Sequence, residues 1–104
     1  MIVRLEADGA VVQDADDCSA LHLETLLDPE DLRAALHGTG TGTLADTGPR
    51  PEVVLDLAVL RSRARLAASA PDWPQRWEEM VAAAGDRLTD DGLGLRVPVE
   101  RPAG

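Results

Sequence analysis

Six residues able to do chemistry crowd into one stretch near the start of the chain: Asp14, Asp16, Asp17, Cys18, His22 and Glu24. Carboxylates, an imidazole and a thiolate are the usual ligands of divalent metals. The spacing nevertheless lacks the central glycine and the closing bidentate glutamate of an EF-hand loop, and a zinc site would want more than one cysteine beside His22 and His37. The stretch reads as a solvated acidic loop, with no metal site and no cofactor. Cys18 with His22 or His37 could in principle pair a nucleophile with its base, which requires a neighbour that stabilises the thiolate. Asp16 and Asp17 would do the opposite, so Cys18 is read as a small half-buried residue and no catalytic residue is assigned.

Two further stretches could bind rather than react. Arg61, Arg63 and Arg65 are the one concentration of positive charge, and on a helix Arg61 and Arg65 share a face one turn apart. Their guanidinium forks could grip a carboxylate or phosphate, or else complement a helix C-terminus and pair with the acidic surface. Gly38, Gly40 and Gly42 look superficially like a phosphate-binding loop. Such a loop follows a strand and opens a helix, whereas this one follows a helix and lacks the Lys-Ser/Thr ending, so it is read as a connector.

Composition limits what could surround these residues. At 104 residues the chain is expected to form one domain, burying about two-thirds of its unfolded surface without metal or disulfide. There is no Lys, Asn, Phe or Tyr, so Leu, Val and Ala make the core and Trp73 and Trp77 carry a large share of it. The net charge of −9 is uneven: residues 1 to 31 hold nine acids and one arginine, while residues 32 to 70 hold three acids and five arginines. Such a surface repels a phosphate backbone, which disfavours nucleic acid and favours a basic protein partner. No apolar run reaches the length of a membrane span, and MIVRLEADG lacks the basic-then-apolar order of a signal peptide, so residence in the cytoplasm is expected.

The elements that must position these groups are legible in part. IVRLE and AVVQ alternate about an Asp8-Gly9 turn, and Leu21 and Leu23 mark a third strand, together suggesting an antiparallel meander. Asp28 as N-cap, Pro29 at the first helical position and Gly38 as stop bound a helix with Leu32, Ala35 and Leu36 on its inner stripe. The segment Thr39–Pro51 reads as loop, because glycine and proline break both regular periods. Val53 to Asp56 reads as a strand with Asp56 capping a helix from Leu57 to about Ala68, a single long helix over the whole segment being the alternative. Trp73, Trp77, Met80, Val81, Ala84 and Leu88 form one helical stripe behind an Asp72 N-cap and Pro74. That stripe reads as core rather than as a binding face. In LGLRVPVE, Leu95, Val97 and Val99 face one way, and Pro98 confines the strand to an edge or to its end.

The order VVLDLAVLR, DWPQRWEEMVAAAGDRLTDDG and LRVPVE, over roughly residues 53 to 100, resembles a group of small uncharacterised actinobacterial proteins. The resemblance implies an α/β architecture and no activity. From the residues themselves the expectation is an α+β fold, ordered β-β-β-α-β-α-α-β, with helices packed on one face of a small, mostly antiparallel sheet. The functional expectation is a non-catalytic protein-interaction module, immunity or antitoxin-like in one form, whose acidic face of Asp14, Asp16 and Asp17 meets a basic partner. The alternative is a small enzyme or anionic-ligand-binding protein built around Arg61 and Arg65.

Overall fold

The computed structural model describes residues 1–18, 21–45 and 52–101. Strands β1 (Ile2–Glu6) and β2 (Gly9–Gln13) form a hairpin, followed by β3 (His22–Thr25) and helix α1 (Pro29–Thr39). Then come β4 (Gly42–Ala45), β5 (Glu52–Asp56), α2 (Leu57–Ala67), α3 (Trp73–Ala84), a 3-10 turn (Gly85–Arg87) and β6 (Gly94–Glu100). The six strands make one mixed sheet in the order β2-β1-β3-β6-β5-β4. Alternation sorts the side chains: Val3, Leu5, Leu23, Val53, Leu55, Leu95 and Val97 are buried, whereas Arg4, Glu6, Asp56, Arg96 and Pro98 stand exposed. Leu32, Leu36, Leu60, Ala64, Trp73 and Trp77 from the three helices join the buried face in a single core.

The α+β class agrees with the sequence reading, and the sheet differs from it in two respects. First, it is not mostly antiparallel. β3 does not continue a meander beside β2 but lies parallel to β1 on its far edge, and β6 lies parallel to β3. Both arrangements bury Leu23, so the alternating pattern cannot choose between them. The loop after β2 meets the start of β1, where the Met1 ammonium donates to the carbonyl of Asp17. Second, part of the Gly-Thr stretch read as loop is strand β4, paired antiparallel with β5. A Cβ on Gly42 would sit 2.0 Å from the Val54 carbonyl oxygen, so here glycine permits close strand approach instead of breaking the strand. Residues 46 to 51 of that stretch, including Pro51, lie outside the described residues, as does Ala20 of the third-strand pattern.

Several boundaries follow the expected chemistry. The Asp28 carboxylate accepts from the Asp31 backbone N–H at 3.2 Å, with Pro29 in the first turn. Helix α1 runs through Gly38 and is stopped instead by Gly40, whose φ of 69° is left-handed. Asp56 accepts from the N–H groups of Ala58 and Val59, so strand and helix meet where expected and the single-helix alternative is set aside. Asp72 does not cap α3 through its side chain; its carboxylate pairs with Arg76 at 3.0 Å. Leu88 is not on the helical stripe, because Gly85 with φ 53° ends α3 and Leu88 bridges to Leu95. Pro98 lies in a strand that is interior by order. It nevertheless stands where β5 pairs with residues up to Pro98 and β3 only with Val99 and Glu100, so the strand has one partner at the residue that lacks a donor.

Candidate functional site

The acidic loop turns out to be fastened to the start of α3. The Asp16 carboxylate accepts from the Ser69 backbone N–H at 2.9 Å, the Ser69 hydroxyl at 2.9 Å and the Ala70 N–H at 2.8 Å. These donors hold its pKa below the ordinary carboxylate value, the Ala70 hydrogen bond contributing most. Trp73 Nε1 donates to the carbonyl of Ala15 at 2.7 Å, and Arg76 donates to the carbonyl of Asp16 at 3.1 Å. Trp73 packs against Trp77 with ring centroids 5.6 Å apart, and both indoles are buried. Of the three expected acidic-face residues, Asp14 and Asp17 are exposed, and Asp16 serves as the latch between loop and helix. Cys18 beside them has its thiol pKa raised, first by burial and then by Asp17 and Asp16 against the opposing N-terminus and Arg76. The thiol form is therefore favoured.

The arginine cluster divides in the same manner. Arg63 donates to the Thr41 hydroxyl at 2.7 Å and to the Thr39 carbonyl at 2.5 Å, tying α2 to the C-terminal end of α1. This is the helix C-terminus role expected for the cluster, performed on the neighbouring helix. Arg61 and Arg65 are exposed. Of four hollows formed by described residues, none is lined by Arg61, Arg63 or Arg65. One of them, about 330 Å³, is lined by His37, Asp56, Thr89 and Asp91. Its carboxylates already serve the backbone: Asp56 caps α2, and Asp91 accepts from the Thr89 hydroxyl and the Leu93 N–H, which lower its pKa.

Two groupings remain that the sequence did not bring together. At one end of the molecule the β1–β2 tip meets the first turn of α1, so that Asp8 and Asp31 line the same hollow. The Asp31 carboxyl is held above its ordinary value by a hydrogen bond shared with Asp28 and by the charges of Asp28 and Glu30. On the open face of the sheet, His22 and Glu24 project from β3 two residues apart, and Glu100 stands directly across from Glu24 on β6. His22 Nε2 lies 3.3 Å from Glu24 Oε1 and 3.3 Å from Glu100 Oε2. Arg4 Nε, on β1 opposite Glu24, is 4.0 Å from the other oxygen of that carboxylate. The three ligand-type atoms lie within 4.8 Å of one another, making this the grouping of described residues that could hold a metal. The sequence reading included His22 and Glu24 but not Glu100, because only the β3–β6 pairing carries the C-terminal strand to them.

No family model matches the chain, and neither the curated proteins nor the solved structures contain a match to it.

Proposed function

We propose that the protein is a non-catalytic interaction module, acting in the cytoplasm, that presents an acidic surface to a basic protein partner; an immunity or antitoxin-like role is one form of this. The observation that carries the reading is the placement of Asp31 beside Asp8 in one hollow, with the Asp31 pKa raised first by a hydrogen bond shared with Asp28 and then by the charges of Asp28 and Glu30. A fold that tolerates such repulsion has a surface that a basic partner would relieve, and the same field would steer that partner during encounter. The proposed face thus moves from the Asp14–Asp17 loop to the hairpin tip and the start of α1. The competing reading, an anionic ligand or substrate held by Arg61 and Arg65, has neither residue in the lining of those four hollows.

The test begins with capture from a lysate of the host cell on immobilised protein, using the wild type and the variant Asp8→Asn/Glu30→Gln/Asp31→Asn. A basic protein retained by the wild type and lost by the variant is the expected result. Stopped-flow mixing with that protein should then show an association rate that falls steeply with salt, since the Debye length is only about 10 Å at 0.1 M. Equal retention by the variant, or a complex broken by Arg61→Ala/Arg65→Ala instead, would transfer the site to the arginines.

A further inference from the structure

We propose that His22, Glu24 and Glu100 form a binding site for a divalent first-row metal ion on the open face of the sheet. The site is independent of the acidic tip and of any protein partner.

Three features of the geometry lead there. The first is the donor set: one imidazole nitrogen and two carboxylate oxygens suit Zn²⁺ or Mn²⁺, while the lack of a thiolate in the group disfavours softer ions. The second is scale. Ligand atoms around a tetrahedral zinc, each about 2.0–2.1 Å from the metal, stand about 3.3 Å apart. Both separations measured from His22 Nε2 are 3.3 Å. The third is how the ligands are supported. His22 and Glu24 come from one strand and Glu100 from its hydrogen-bonded neighbour, so the backbone spacing is set by the sheet rather than by a loop. Arg4 stands beside Glu24 Oε2, which leaves Oε1 turned toward the imidazole.

Electrostatics gives the arrangement its direction. Glu24 and Glu100 face each other across adjacent strands, a placement of like charges that destabilises a sheet. A dication between them removes that repulsion. Three protein ligands leave a coordination position for water or for an oxygen of another molecule, as in metal sites that are not closed. The side chains of His22 and Glu24 are 17% and 21% exposed, and Glu100 is 58% exposed, so the ion would enter from the Glu100 side.

The experiment is calorimetric titration of the metal-stripped protein with Zn²⁺, repeated with Mn²⁺, on the wild type, His22→Ala, Glu100→Gln and the loop control Asp14→Asn/Asp17→Asn. Circular dichroism verifies that each variant is folded. The expected result is one ion per chain, with affinity reduced at least about tenfold in His22→Ala and in Glu100→Gln and unchanged in the loop control. Should His22→Ala fail to fold, the Glu100→Gln result decides, since that exposed side chain can lose its charge with little effect on packing. Absence of binding by the wild type overturns the proposal and leaves His22, Glu24, Glu100 and Arg4 as a polar side-chain network on the sheet. Binding that both ligand variants retain, or that only the loop control loses, overturns it equally.

Discussion

The loop Asp14–Asp17 and the tip formed by Asp8, Asp28, Glu30 and Asp31 are alike in composition, yet Asp16 is surrounded by three hydrogen-bond donors and Asp31 by carboxylates. One pKa is pushed down and the other up. The difference shows that an acidic run is not by itself a binding face. Whether its charge is engaged within the fold or displayed to solvent depends on which donors another part of the chain brings within reach. The arginines repeat the lesson, since Arg63 is tied to α1 while Arg61 and Arg65 are exposed.

The strongest way to break this comparison is to remove the core on which the latch rests. Trp73→Ala or Trp77→Ala should cost about 3–5 kcal/mol by urea unfolding, since each deletes a buried indole from a core with no other aromatic residue. A loss under about 1 kcal/mol for Trp73→Ala, the range of an ordinary substitution, would mean that the loop is not anchored there. Next in size, Arg63→Ala should cost about 1.5–3 kcal/mol, the range for hydrogen bonds made by a charged donor. Arg61→Ala and Arg65→Ala should stay within about 0.5 kcal/mol of the wild type. Equal losses at all three positions would erase the distinction between engaged and displayed arginines.

The smallest effects sharpen the comparison through pH. Asp16 has its folded pKa depressed below 3.8, so its contribution to stability is present above that value and fades as pH falls through the folded pKa. Asp31, raised above 3.8, behaves oppositely: its contribution is present at acid pH and is lost as pH rises through the folded pKa. Thermal melts across the acid range should therefore show Asp16→Asn lowering the melting temperature at neutral pH and converging on the wild type as pH falls through the depressed folded pKa of Asp16. Asp31→Asn should leave the neutral melting temperature unchanged or raise it. A destabilised Asp31→Asn at neutral pH would indicate that the helix-start role of this carboxylate outweighs its repulsion by Asp28.

Local chemistry was readable wherever it acts over a few residues. Asp28-Pro29 and Asp56 announced their helix starts, the alternation of VVLDL and LRVPVE identified buried strand faces, and the scarcity of aromatic residues put Trp73 and Trp77 in the core. Strand neighbours were not readable, because a period of two records which face is buried and says nothing about which edge is joined. So the sequence alone determined most helices and strands, the apolar face of each and the overall acidity. The tertiary structure decided that β3 lies parallel to β1, that Gly42 opens a strand, that Asp16 and Arg63 are structural, and that Glu100 arrives beside His22 and Glu24. All four depend on contacts between segments distant in sequence, and such contacts are chosen by the packing of the whole chain.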